Sequence, residues 1–394
     1  MTSVCLVSEG TYPHVTGGVT TWTAGLVSSL PDVDWSVASL ADGPPPSVTP
    51  TFPPQVGRVV DLVVPPSSAP LLSTEIIAAL ASEVPDADVY HATTVGVASA
   101  VAAAAAAARA ASFILTEHGI ASLELALAGG PLETGRRSPD SLVDRRQWVR
   151  ELQAEARRAY AAADVVIAVS RTGARFQQLL GATGVLLIPH PPAFAPVIRH
   201  RSDPQDLLVG MVARVVPLKD VVTFIRAAAQ LSGEIPSLRF VVVGPVDADL
   251  RYVAHCRRVL LEEGLDGRLS LVGEDDVSRW WSRFSVLVST SRSEGRPFAL
   301  LEAMQHGVPV VATDVGDCAE MLCGGGAPHA GVIVRPGDVR AVAAAVGTLL
   351  AGPRRAAACG ASGAARVAAM GTPAQHAARY EAIYERCTRR RCSR

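Results

Sequence analysis

The sequence predicts an α/β protein of two doubly wound domains, each a parallel sheet covered by helices on both faces. Three observations lead there. Short apolar, β-branched runs alternate with longer stretches of helical periodicity along the 394-residue chain, which is the pattern of strand, helix, strand units. The length exceeds what one hydrophobic core ordinarily serves, so two cores are expected. The alternation breaks at Pro189 to Asp206 (PHPPAFAPVIRHRSDPQD), where proline and polar residues displace periodicity. That break divides the chain into residues 1–195 and 196–371, with 372–394 as a terminal helix and basic tail.

In the first domain Ser3 to Ser8 is a buried strand, followed by a loop from Glu9 to Gly18. The Gly17-Gly18 pair permits a tight turn and close approach of backbone to a ligand. Val19 to Leu30 then has helical periodicity, and the proline-rich Pro44 to Pro70 is irregular surface carrying one strand, Val59 to Val64. Ala98 to Ala111 is a packed helix of high propensity, shorter than the roughly 20 residues a bilayer span requires. Further strands are expected at Asp88 to His91, Ser112 to Thr116 and Asp164 to Val169. His118 comes directly after one of them, at the carboxyl end of a parallel strand, where open α/β sheets place their ligands. A lone histidine is more often structural, and Glu117 beside it would by default be a salt-bridged strand-end carboxylate. Gly129 to Ser141 has turn chemistry throughout and reads as a mobile loop, and Leu142 to Ala162 as a long helix with a solvated Arg/Glu face.

The second domain repeats the pattern, with strands at Leu207 to Ala213, Arg239 to Gly244, Leu269 to Val272, Ser285 to Thr290, Pro309 to Thr313 and Gly331 to Val334. Ser285 to Thr290 leads into the stretch Ser293 to Glu302 (SEGRPFALLE), where Pro297 suits the first position of a helix ended by Gly307. The donors at that helix mouth are then the amides of Phe298, Ala299 and Leu300, with the positive end of the macrodipole behind them: an anion site. Glu294 precedes the mouth and Glu302 lies inside the helix. Two acceptor-only carboxylates flanking a phosphate-sized pocket suit a ligand with phosphate in the middle and hydroxyls at both ends, as in a nucleotide sugar. Arg214 and Lys219 follow the first strand of this domain. Such a pair is ordinarily solvated, but after a buried strand and opposite a helix mouth it becomes a candidate diphosphate clamp. Beyond Val334 the chain is alanine-rich and helical to about Met370, Thr372-Pro373 restarts a helix to about Arg386, and the tail Thr388 to Arg394 is expected to be disordered.

Charge is balanced, 36 basic against 37 acidic residues, which argues against a nucleic-acid binder. Seven scattered cysteines read as reduced thiols of a cytoplasmic protein, and neither Cys318/Cys323 nor Cys387/Cys392 has partners at zinc spacing. No charged and apolar leader pattern follows Met1. Two D-x-D matches, Asp86/Asp88 and Asp247/Asp249, are better placed to open a strand and to cap a helix than to hold a metal.

E-x7-E after a buried strand, preceded by Arg214 and Lys219 in GMVARVVPLKD, resembles the retaining glycosyltransferases of family four, which have the GT-B fold of two Rossmann-like domains facing a cleft. SEGTYPHVTGGVTTW (Ser8 to Trp22), TEHGI (Thr116 to Ile120), RVVPLKD and the EGRP loop are more narrowly similar to the PelF-like subgroup associated with exopolysaccharide synthesis. The resemblance implies a UDP-sugar donor, a saccharide acceptor, a membrane-associated polysaccharide synthase complex as partner and no cofactor or metal. It assigns Arg214 and Lys219 to the diphosphate, Glu302 to the ribose, and Glu294 with the Gly295, Phe298, Ala299 and Leu300 backbone to the sugar and its phosphate. Gly273 and Glu274 would edge the nucleobase, Gly17 and Gly18 would supply donors near the diphosphate, His118 would contact the transferred sugar, and Glu9, Tyr12 and His14 would line the acceptor side. Two departures stand out. Pro189-His190-Pro191-Pro192 replaces the family's Pro-Asn-Gly, and Arg296 beside Glu294 replaces a small or amide residue, which bears on sugar preference. A nucleotide-sugar epimerase of similar architecture and a catalytically silent nucleotide-binding subunit remain open as other classes.

Overall fold

The computed structural model describes residues 1–15, 17–43, 52–65, 69–128, 139, 141–192, 207–324, 326 and 328–392, the last three by backbone alone. The chain forms two compact units, Met1–His190 with Thr372–Arg394, and Pro191–Gly371.

The first unit runs β1 (Ser3–Glu9), α1 (Gly18–Ser29), β2 (Asp34–Ala41), β3 (Val56–Val63), α2 (Thr74–Glu83), β4 (Val89–Ala92), α3 (Val97–Ala108), β5 (Ser112–Glu117), α4 (Ala121–Leu127), α5 (Leu142–Ala162), β6 (Val165–Ala168), α6 (Arg171–Leu179) and β7 (Leu186–Leu187). All seven strands are parallel, in the order β3-β2-β1-β4-β5-β6-β7. Strand order therefore reverses between β1 and β4, the switch point at which open sheets leave a crevice. The alanine run forms α3, whose Val97, Ala98, Val101, Ala102, Ala105 and Ala106 are buried in the core with Cys5, Val7, Tyr90 and Phe113. Small side chains on one face let that helix approach the sheet closely. Two strands exceed expectation: β2, and the short β7. The loop expected to be mobile, Gly129 to Ser141, lies outside the described residues except for Pro139 and Ser141, and Ser141 caps α5 through the Asp144 amide. Residues 193–206 of the break between domains also lie outside them.

The second unit runs β8 (Leu208–Val212), a 3-10 turn (Pro217–Lys219), α7 (Val221–Glu234), β9 (Arg239–Val243), α8 (Leu250–Glu262), β10 (Leu269–Gly273), α9 (Ser278–Trp281), β11 (Val286–Ser289), α10 (Phe298–Gln305), β12 (Val310–Thr313), α11 (Cys318–Cys323), β13 (Gly331–Val334), α12 (Val339–Ala351) and α13 (Pro353–Ala368). Its six parallel strands, all at the expected places, lie in the order β10-β9-β8-β11-β12-β13, so the switch point falls between β8 and β11. Valines of β8, β9, β11 and β12 pack with Phe224, Ile225, Leu231 and Val346 on one face, and with Leu300, Leu301, Met304 and Met321 on the other. Asp249 caps α8 by accepting from the Tyr252 amide at 3.1 Å, the role expected of it in place of metal binding.

After Gly371 the chain returns to the first unit as α14 (Pro373–Cys392), which packs on α1, β4 and β5 with Tyr380 and Tyr384 fully buried. The expected disordered tail is corrected as far as Cys392. Nothing between Thr388 and Cys392 breaks a helix, and Arg389 pairs with Glu385 one turn earlier at 3.0 Å.

Candidate functional site

Both switch points gather the residues singled out in the sequence, and each is described within its own unit. In the second unit Arg214 follows β8, and Lys219 closes the 3-10 turn just beyond it. Gly244, at φ +145°, makes this possible: a Cβ there would stand 2.2 Å from the Ala213 carbonyl oxygen, so only glycine lets the end of β9 pass so close to the residue before Arg214. Across the switch point, Glu294 follows β11. Lys219 Nζ donates to Glu294 Oε1 at 2.7 Å, and Ser291 Oγ is 2.6 Å from the same oxygen. Both contacts fall on Oε1, so Oε2 is the carboxylate oxygen left to meet a ligand. The pairing sets the two side chains side by side, where sequence alone assigned them to separate parts of a ligand.

The backbone around Glu294 is held from β12. Asp317 N–H donates to the Gly295 carbonyl at 3.0 Å, and Gly316, at φ +54°, lies so near that a Cβ would come within 2.1 Å of the Glu294 carbonyl oxygen. Below Lys219, Asp220 is buried in left-handed conformation (φ 47°), accepts from Thr223 Oγ1 at 3.0 Å and meets Arg292 Nε at 3.3 Å. Thr290 Oγ1 donates to the carbonyls of Lys219 and Asp220. Ser291, Asp220, Thr290 and Gly316 were not singled out in sequence. Only the left-handed Asp220, after a Lys and before a helix, leaves a local trace.

Helix α10 begins one residue later than expected. Pro297 is the N-cap, with extended ψ 126°, rather than the first helical residue, because its fixed φ of −70° fits either position and its carbonyl takes the Leu301 amide at 3.4 Å. The first-turn amides are nonetheless those of Phe298, Ala299 and Leu300, next to the Lys219–Glu294 pair in sequence and on the same switch point. Glu302 lies one turn further in. Burial pushes its carboxyl up to about 7, while the Trp281 indole beside it pulls the other way. His306, which caps the helix through the Glu302 carbonyl, stacks on that indole. Gly273 ends β10 at φ +88° and accepts from Gly244 N–H at 2.8 Å, with exposed Glu274 following. Arg296 turns away from Glu294: its buried guanidinium lies 3.9 Å from Asp317 Oδ2 and 3.1 Å from the Met370 sulfur.

In the first unit Glu9 ends β1 and His118 follows β5, and the two line one small pocket with Thr11, Val19, Thr93, Thr94 and Gly119. Glu9 Oε2 accepts the Ala98 amide of α3 at 3.2 Å, a carboxylate on a helix N-terminus. Gly96, at φ +147°, leaves it room. Tyr12 is buried, its ring edge-on to Phe52 at 6.4 Å, and does not line this pocket. His14 Nε2 is 2.6 Å from Asp61 Oδ1 and lines a neighbouring pocket with Gly10, Ser39 and Asp61. Gly17 is extended at φ 174° as the N-cap of α1, and among the described residues of the loop Gly10 has positive φ, at 60°. Gly17 has open space where a side chain would be. Glu117, expected to be salt-bridged, has no ion pair among the described residues. It is buried, accepts from Tyr160 Oη at 2.7 Å and Gln177 Nε2 at 3.0 Å, and burial pushes it up to about 7. His118 meets His190, which the sequence marked only as part of the Pro189-His190-Pro191-Pro192 departure and gave no role; Nδ1 of the one is 2.9 Å from Nε2 of the other.

Among the described residues no group of histidines, cysteines or acidic side chains is arranged to hold a metal, Cys5, Cys256, Cys318, Cys323 and Cys359 are free thiols, and no helix is long and apolar enough to cross a membrane.

Comparison with known proteins places this geometry. Residues 206–352 match the family model described as Glycosyl transferases group 1, and residues 2–69 and 67–184 match a domain of unknown function, DUF3492. The lipopolysaccharide core biosynthesis mannosyltransferase LpcC of Rhizobium leguminosarum is 31% identical over 228 residues, 56% of this chain and 64% of LpcC. The mannosyltransferase LpsB of Rhizobium meliloti is 31% identical over 185 residues, 46% of this chain and 52% of LpsB. The Vi polysaccharide biosynthesis protein VipC/TviE of Salmonella typhi is 37% identical over 127 residues, 32% of this chain and 21% of that protein. The matches thus span less than two thirds of each of these relatives. Among solved structures, sucrose-phosphate synthase from Thermosynechococcus elongatus superimposes with a TM-score of 0.75 at 20% identity, over 98% of this chain and 99% of that one. Anabaena HepE in complex with UDP and glucose gives 0.73 at 19%, over 98% and 99%. The fold is therefore GT-B.

Proposed function

We propose that this protein is a retaining glycosyltransferase that moves a sugar from a nucleoside-diphosphate sugar, with UDP as the nucleotide, to a saccharide acceptor in exopolysaccharide synthesis. The observation that carries the reading is the switch point of the second unit. There Lys219 and Glu294 pair just beyond β8 and β11, and the first-turn amides of α10 and the half-buried Glu302 follow in the next element, on the sheet edge where α/β folds bind ligands. The relatives named for mannosyl transfer and polysaccharide biosynthesis, and the UDP bound by HepE, support the same class.

The difficult step is departure of the diphosphate. Charge develops on its leaving oxygen, and Arg214, Lys219 and the Phe298 to Leu300 amides supply fixed positive potential there. Glu302 accepts from ribose hydroxyls, and Glu294, steadied by Lys219 and Ser291, presents its second oxygen to hydroxyls of the sugar. The acceptor attacks from the face the diphosphate leaves, and the leaving phosphate takes its proton. Among the site residues no side chain is set as a covalent nucleophile, so the two glutamates do not form a glycosidase pair. A PelF-like synthase complex at the inner face of the membrane is the setting this reading implies.

The test is calorimetric titration of the protein with UDP, GDP and ADP, with and without magnesium, followed by Glu302→Ala with the tightest nucleotide. Preference for UDP, weakened at least about tenfold by the substitution, is expected. Preference for GDP or ADP would change the donor, and no nucleotide binding would overturn the reading.

A further inference from the structure

His118 and His190 form a buried pair in the first unit. Their rings meet edge to edge and nearly coplanar, with centroids 5.1 Å apart and planes 20° from parallel, and His118 Nδ1 lies 2.9 Å from His190 Nε2. The Trp22 ring packs against His118 with centroids 4.5 Å apart and planes at 65°. Its remaining nitrogen, Nε2, is buried and has no hydrogen-bond partner among the described residues, while the residue lines the pocket of Glu9, Thr11, Thr93 and Thr94. A buried polar atom left without a partner is costly unless a ligand completes it. The pocket lies at the switch point between β1 and β4, the ligand-binding edge of this sheet.

We propose that His190 is a positioning residue for His118: by occupying Nδ1 through an in-plane hydrogen bond it fixes one ring orientation, so that His118 meets a polar substituent of the substrate through Nε2 alone. This rests on the glycosyltransferase reading, with a sugar hydroxyl as the substituent. Two imidazoles joined through one hydrogen bond share a single proton at that bond, so protonating both would place two like charges in contact. His91 and His376, the other imidazoles near the pair, are also buried, and each of the three works against a charge on His118. The carboxylate of Glu9 in the same pocket favours such a charge, Glu117 is taken up by Tyr160 and Gln177, Tyr380 is uncharged, and Arg379 acts against a charge on His376. Burial dominates and holds His118 neutral, well below the usual imidazole range.

The test compares wild type with His190→Ala and His190→Gln, whose side-chain amide reaches the place of Nε2. His190→Ala is expected to lower kcat at least about tenfold with KM for the nucleotide sugar nearly unchanged, and, since loss of the ring opens Nδ1 to water and lessens the burial that holds His118 neutral, to introduce a loss of rate toward acid pH that wild type lacks. His190→Gln is expected to restore most of kcat and the flat profile. In parallel, ring-nitrogen NMR of histidine-labelled protein is expected to show one tautomer of His118 across pH 5 to 8 in wild type and averaged, titrating signals in His190→Ala. An active wild type whose kcat, pH profile and tautomer survive His190→Ala would overturn the proposal. A wild type inactive with every donor, yet showing the single tautomer lost in His190→Ala, would overturn the glycosyltransferase reading and keep the positioning of His118.

Discussion

Lys219 and Glu294 are 75 positions apart in sequence and 2.7 Å apart in space. Loss of the ammonium removes a charge facing the developing diphosphate and leaves Glu294 with only Ser291. Lys219→Ala is therefore expected to lower transfer by about 100-fold or more while the protein stays folded, as followed by nucleotide release with circular dichroism as control. Glu302 makes a second prediction. Its carboxyl is raised from an ordinary value of 4.5 to about 7 by burial. The folded state thus binds that proton more tightly than the unfolded chain, and the stability this contributes is present below about pH 4.5 and lost as pH rises through 7. Glu302→Gln keeps the shape and removes the ionisation. It is expected to stabilise the ligand-free protein increasingly from pH 5 to pH 8, by at most about 3 kcal/mol, with little effect at pH 4.5, in urea melts at each pH. Each of these residues was legible as a candidate because it follows a strand or opens a helix. Their pairing was not, since contact across a parallel sheet has no signature in sequence spacing, and His190 was hidden because a proline-rich break reads only as a boundary.

At the level of elements, the inner strands of the second unit were legible because β9, β11 and β12 carry runs of buried apolar residues rich in valine. β2 was not. DWSVASLA mixes serine, alanine and aspartate into a strand whose burial comes from lying beside β1 and not from its own composition. The turn between β12 and α11 gives the clearest test at this scale. Gly316 combines positive φ with backbone atoms where a Cβ would stand, and those atoms belong to Glu294 and Gly295. Gly316→Ala should cost about 2 to 4 kcal/mol and shift the loop that carries Glu294, so both the urea midpoint and nucleotide affinity fall together. A substitution at Gly17, extended and with open space around it, should leave the midpoint unchanged within about 0.5 kcal/mol.

For the whole molecule, the feature with the widest reach is α14. Tyr384 bonds His91 at 2.8 Å, His91 bonds Thr116 at 2.8 Å, and Tyr380 packs on Trp22, so the last helix completes the interior of the first unit. The second unit is therefore an insertion in the first, and the order of synthesis follows. Everything the second unit needs has been translated by Gly371, whereas the first unit still lacks the two tyrosines that close its core. A chain truncated after Gly371 should show the later-made unit resistant to protease and the earlier-made one open, and a chain extended through Cys392 should show both closed. The half made first is the half finished last.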